Sequence, residues 1–185
     1  MLSKNVHNNS KAKPAVIWLT GLSASGKTTL AEKLSNNLDI LKIENILLDG
    51  EDLRDKLMNY SYSTNDRNKI GIYKAKLALE YANNNKIVII TGIAHHKETR
   101  RMIRNLLKSY YFEVYLNCPA EICAQRDYKG QYVKAYKGEY KNFIGVTEPY
   151  QISKHTELVL DTANMSIENC SETLLKSTLD FVNKP

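Results

Sequence analysis

The sequence is poor in the residues that build cross-linked or membrane-spanning proteins. Its 185 residues include three cysteines, Cys118, Cys123 and Cys170, an odd number without a CxxC spacing. That pattern excludes a disulfide framework and a cysteine-based zinc site, and it fits a reducing cytoplasm. Cys118 and Cys123 have apolar neighbours and read as core residues. There is no run of about 18 apolar residues, so no membrane-spanning helix is expected. Residues 1–13 (MLSKNVHNNSKAK) lack an apolar stretch, which argues against a secretory signal and for a flexible arm. Prolines number four and glycines eight, and no Pro/Ser-rich linker, internal repeat or low-complexity stretch divides the rest. Residues 14–185 therefore read as a single domain.

What is present is ordinary in amount and uneven in sign. Lys and Arg number 26 against 20 Asp and Glu, a formal net charge of +6. A basic balance suits an anionic partner, but abundant Lys, Asn, Ile and Tyr equally reflect an AT-rich coding sequence. Apolar runs of strand length fall at 15–20, 43–48, 87–91, 112–116 and 158–160. Their continuous rather than alternating character predicts strands covered on both faces, as in a parallel sheet. Helical patterns lie between and after them, at 27–39, 66–84, 97–108, 119–126 and 167–182. The expected fold is a doubly wound α/β domain on a mostly parallel five-stranded sheet.

The first strand runs into Gly21, Leu22, Ser23, Ala24, Ser25, Gly26, Lys27 and Thr28, followed by the helical Thr29–Leu34. This is GxxxxGK[ST] in its strand–loop–helix setting, a phosphate loop. Glycines let backbone N–H groups curl around phosphate oxygens, and the helix N-terminus adds positive potential. Lys27 is expected at the β- and γ-phosphates of ATP, with the Thr28 hydroxyl on Mg²⁺. The second strand ends in Asp49, followed by Gly50, Glu51 and Asp52. A carboxylate at that strand end could serve Mg²⁺ or take a proton from an attacking hydroxyl, or it could simply cap a helix.

Longer blocks add to this. WLTGLSASGKTTLAEKL, LLDGEDLRDKL, FEVYLNCPAEICAQRD, KGQYVKA and GEYKNFIGVTEPY resemble successive blocks of the adenylyl-sulfate kinase family, over residues 15 to 161. The resemblance implies a nucleotide-kinase-like P-loop fold, usually a homodimer, that phosphorylates the ribose 3′-hydroxyl of adenylyl sulfate with MgATP. It implies that residues 21–29 and Arg126 bind ATP, and that Asp49 meets the attacking hydroxyl. It places Glu51, Arg54, Tyr62, Arg67, Lys129, Lys134, Lys141 and Phe143 at the acceptor, with a lid near 126–146. Departures fall on the acceptor side. Ile70, Ile72 and Tyr73 stand in a stretch that is polar and cationic in the family, Gly92–His95 replaces a FISP-like segment, and Val133 replaces a lid lysine. The acceptor is thus open between adenylyl sulfate and cytidine diphosphoramidate, the latter a substrate of capsule modification.

Adjacent His95 and His96 diverge on a loop, so an acceptor contact is expected rather than a metal pair. Tyr128, Tyr132, Tyr136 and Tyr140, with interleaved lysines, read as a packed face or a lid over a nucleotide rather than a nucleic-acid platform. Lys97, Arg100, Arg101, Arg104 and Lys108 read as a solvated helix face. The expected partner is a small nucleotide, with neither nucleic acid nor membrane. A switch or nucleic-acid-stimulated NTPase is the rival class, and no second Walker-type strand ending supports it.

Overall fold

The computed structural model describes residues 12–49 and 63–184. Glu51, Asp52, Arg54, Tyr62 and residues 1–11 of the N-terminal arm lie outside the described residues; the end of the arm is anchored, Ala12 packing on the core and Lys13 donating its N–H to Val182 O at 2.9 Å. Five strands form one sheet: β1 (Ala15–Thr20), β2 (Asn45–Leu48), β3 (Ile87–Thr91), β4 (Tyr111–Asn117) and β5 (Leu158–Asp161). Their order is β2-β3-β1-β4-β5, and every pairing is parallel. The sheet has a helical layer on each face. One face packs Ile17, Leu19, Ile89 and Val114 against α1 (Lys27–Ile40) and α6 (Ile167–Val182). The other packs Val16, Trp18, Val88 and Ile90 against α2 (Thr64–Asn83) and α3 (Lys97–Leu107). Cladding on both faces is why β1 and β3 are apolar at every position but the last, Thr20 and Thr91.

Differences from the sequence reading have local causes. The second strand starts at Asn45 rather than residue 43, because Ile43 closes the turn after α1 by donating its N–H to Leu38 O at 2.9 Å. The third segment starts at Thr64 rather than residue 66, since Ser63 caps it by accepting from Asp66 N at 3.2 Å. A short helix α5 (Gln131–Tyr136) follows α4 (Ala120–Arg126), and Gly130 turns the chain between them at φ 68°. The tyrosine series is not one packed face. Tyr132 is 1% exposed while Tyr128 is 90% exposed.

The basic helix face is a second correction. Lys97, Arg101 and Lys108 are exposed as expected, but Arg100 is buried and Arg104 half-buried. Arg100 Nε lies 3.4 Å from the buried Glu113 carboxylate, and its other nitrogens donate to Ala94 O and Gln151 O. Arg104 donates to Glu157 and lies 3.4 Å from Glu113. These guanidiniums fasten the 148–157 segment to α3 and β4, a role that helical spacing does not reveal.

Candidate active site

The phosphate loop leaves the innermost strand, β1, at the carboxyl edge of the sheet. Gly21 has φ 147°, and a Cβ there would lie 2.7 Å from Leu116 O, so the strand exit tolerates no side chain. Ala24 at φ 57° and Gly26 at φ 97° turn the loop into the first turn of α1. Successive left-handed residues of this kind direct backbone N–H groups at a common point, a nest suited to an anion. Lys27 Nζ folds back onto Leu22 O at 2.5 Å. Thr28 Oγ1 donates to Asp49 Oδ2 at 3.3 Å, which joins the loop to the end of β2.

The loop is held from behind by the rest of the fold. Thr162 donates its hydroxyl to Ser25 O at 3.0 Å, and Arg126 donates to Thr162 O at 2.9 Å. From the segment after α4, Tyr132 OH donates to Ser23 O at 3.1 Å and Ser23 Oγ donates to Gln131 at 3.3 Å. Burial is the main reason that the Tyr132 phenol is pushed far above its ordinary range and the Cys123 thiol up to about 12. Both are neutral members of the apolar cluster beside the loop. Cys118 and Cys123 are buried and free, in the apolar cluster under the loop.

Loop, strand ends and lid enclose a cavity of about 1530 Å³. Single-ligand sites commonly run to roughly 1,000 Å³, so this one has room for two nucleotide-sized molecules. Lys27, Thr28 and Asp49 stand in its wall, with Arg126, Thr162 and Met165 among the residues lining it beside the loop. Arg67, Lys129, Lys141 and Phe143 also line it, so four expected acceptor residues share one space. Arg67 donates to Asn142 O at 2.5 Å, tying α2 to the segment that carries Phe143. Phe143 packs edge-on against Tyr132 at 4.9 Å and parallel to Tyr140 at 5.9 Å. Lys134 is exposed and is not among the lining residues. Of the departures on α2, Ile70 lines the cavity, Ile72 packs into the core and Tyr73 is exposed.

His95 lines the cavity and is buried, its Nε2 lying 3.3 Å from Glu148 Oε2. Burial, reinforced by the charges of His96, Arg67 and Arg100, lowers its pKa to about 4. The imidazole is therefore neutral at neutral pH. Sequence reasoning missed Lys74, Trp18 and Glu148. The signal for Lys74 was its place on the buried stripe of α2 with Ala78 and Ala82, where spacing calls for an apolar residue.

A phosphate loop on the central strand, with a carboxylate facing it two strands away, is the arrangement of P-loop kinases. The chain is an ATP-dependent kinase. The model of the adenylylsulphate kinase family matches residues 13–161, and the chain belongs to that family. It is 37% identical over 167 residues to the adenylyl-sulfate kinase of Clostridium acetobutylicum, covering 90% of this chain and 84% of that one. It is 36% identical over 169 residues to a probable adenylyl-sulfate kinase of Bacillus subtilis, covering 90% and 86%. Among solved structures, the Mycobacterium tuberculosis APS kinase in complex with AMPPNP and APS superposes with a TM-score of 0.84. That pair is 30% identical, and the match covers 90% of this chain and 98% of the other. A gluconokinase from Sinorhizobium meliloti, 14% identical with a TM-score of 0.63, shares the fold. No helix among the described residues is long and apolar enough to cross a membrane.

Proposed function

We propose that this chain transfers the γ-phosphoryl group of ATP to the ribose 3′-hydroxyl of adenylyl sulfate, in the cytoplasm, as a homodimer. The observation that carries the reading is the shared cavity, in which Lys27 and Asp49 stand in one wall with Arg67 and Phe143. The Mycobacterium tuberculosis relative, described with AMPPNP and APS together, supports two ligands in such a space.

In this mechanism the loop N–H groups and the α1 N-terminus hold the donor phosphates. Lys27 leaves Leu22 O and places its ammonium on the phosphate being transferred. Arg126 serves the donor nucleotide. Phe143 offers a ring to the acceptor base, while Arg67, Lys129 and Lys141 supply cationic donors for its anionic groups. Asp49 accepts a hydrogen bond from the 3′-hydroxyl and takes its proton as the oxygen attacks. The bond from that oxygen to Pγ forms, the bond from Pγ to the β–γ bridging oxygen breaks, and ADP leaves. Thr28 Oγ1 and the Asp49 carboxylate, 3.3 Å apart, are a hard-oxygen pair suited to Mg²⁺. When bound, Mg²⁺ would neutralise charge on the phosphates. Glu51, Arg54, Tyr62 and Lys134 are included as acceptor-side residues on the resemblance alone.

A second acceptor, cytidine diphosphoramidate, is retained because Ile70 and Gly92 line the cavity where the family is polar or bulkier. The test is ADP release at saturating MgATP with each acceptor, and mapping of the product phosphate by NMR. Turnover that depends on adenylyl sulfate and yields a 3′-phosphate supports the proposal. Acceptor-independent hydrolysis sinks it, and preference for the cytidine compound replaces the acceptor.

A further inference from the structure

At the carboxyl end of β3, one corner of the cavity has no part in the mechanism above. Leu48 lies opposite Ile90 in the β2–β3 register, so Asp49 comes alongside Thr91 and Gly92 follows one residue further out. Gly92 leaves this corner open. A Cβ built on it would lie 3.5 Å from Lys74 Nζ and 3.7 Å from Trp18 Nε1. Two nitrogen atoms from different elements, α2 and β1, thus lie close to one point, with Trp18 Cζ2 also 3.7 Å from it. All three residues line the same cavity as Lys27 and Asp49.

Packing alone does not account for the Trp18 donor. The Trp18 side chain is 1% exposed, and among the described residues its indole N–H has no hydrogen-bond partner. Buried donors are normally satisfied, so an orphaned one marks a place where a partner atom belongs. Lys74 is 5% exposed and donates to Thr91 O at 3.0 Å. It stands on the helix face otherwise made of Ala75, Ala78 and Ala82, where an ammonium costs desolvation that an apolar residue would not. A buried ammonium beside an unsatisfied indole N–H is an arrangement for receiving an oxygen.

We propose that Trp18 Nε1 and Lys74 Nζ form an oxygen-binding subsite beside Gly92 that selects the acceptor. The inference rests on the acceptor-kinase reading above and adds the atom type that is read. The ligand atom is a hydrogen-bond acceptor, either a base carbonyl oxygen or an anionic phosphate or sulfate oxygen. Both side-chain groups donate, so an amino group presented there would meet donors and be rejected. The subsite belongs to β1, β3 and α2 rather than to the lid, so it is formed before the acceptor arrives.

Trp18 is the sole tryptophan, which makes its fluorescence a direct report on this corner. The MgADP-loaded protein is titrated with cytidine diphosphate, adenylyl sulfate and sodium sulfate, alongside Lys74→Met and Gly92→Val. Adenylyl sulfate has no base carbonyl. A saturable Trp18 response to cytidine diphosphate alone therefore identifies a carbonyl, and responses to adenylyl sulfate and sulfate identify an anionic oxygen. Lys74→Met, which keeps the length and removes the charge, is expected to weaken the responding ligand by about 10-fold or more. Gly92→Val is expected to do the same by filling the corner, and KM for ATP should stay within about two-fold in both. No Trp18 response to any of the three ligands overturns the subsite, as does unchanged acceptor affinity in both variants. If no acceptor takes phosphate from ATP while Lys74→Met still weakens the fluorescence-detected binding, the kinase reading falls and the subsite stands.

Discussion

Replacing Glu113 with Gln tests whether the buried ion cluster on α3 and β4 holds the acceptor side of the molecule together. Glu113 and Arg100 are 1% and 2% exposed, so the substitution strands a guanidinium away from water. Breaking a buried pair by removing one partner costs about 3–5 kcal/mol. Arg100 keeps Ala94 O and Gln151 O, and Arg104 keeps Glu157, so the lower end applies. A loss of about 3 kcal/mol in a chain of this size corresponds to a fall in Tm of roughly 6–12 °C. Urea denaturation followed by circular dichroism measures the loss, with Arg100→Met/Glu113→Leu as control. Removing both charges is expected to recover most of it, to within about 1 kcal/mol of wild type, because no unpaired charge remains. A single variant costing under about 1 kcal/mol would refute the reasoning. So would a double variant no better than the single.

The remaining predictions concern the chemistry and its pH range. Lys27→Ala is expected to lower kcat/KM by about 10²-fold or more with Tm unchanged, and turnover within a few-fold of wild type would remove Lys27 from the mechanism. Asp49→Asn should depress kcat much more than it raises KM for ATP; the reverse pattern in steady-state kinetics would make it a ground-state ligand. His95 has a folded pKa below its unfolded value of about 6.5, so the unfolded chain binds more protons between about pH 6.5 and 4. Its neutrality therefore costs nothing above that window, and stability falls as pH drops through it. His95→Gln should reduce the wild-type loss between pH 6.5 and 5 by about 1–2 kcal/mol in urea titrations, and parallel pH curves would contradict the assignment.

How much of this was legible in the sequence depended on how local each feature is. The phosphate loop is contained in eight consecutive residues whose spacing is its geometry, so it was readable in full. The β1 and β3 runs were equally plain, because burial on both faces leaves a polar residue only at the last position of each, Thr20 and Thr91. Arg100 was misread because its partners, Glu113 and Gln151, come from other elements, and helical periodicity carries no information about them. Lys74 was missed for the opposite reason. One of three lysines in α2, with Lys69 and Lys76, it reads as solvent-facing until the fold shows Thr91, Gly92 and Trp18 around it. Glu148 acquires meaning through His95, 53 residues earlier.

The strand that carries Asp49 differs in its support from the strand that carries the phosphate loop. β1 is hydrogen-bonded on both sides, whereas β2 lies at the sheet edge among the described residues and is half-buried along its whole length. Local opening begins where backbone pairing is exposed and few apolar groups are covered. Fraying of β2 would detach the Asp49 carboxylate, the group proposed to take the proton, while leaving the phosphate loop assembled. On heating, catalysis should therefore fail some degrees before the global transition, with ATP still bound. Amide exchange would show the same ranking, fast at 45–48 and slow at 15–20, so that the working lifetime of the enzyme is set by its weakest strand.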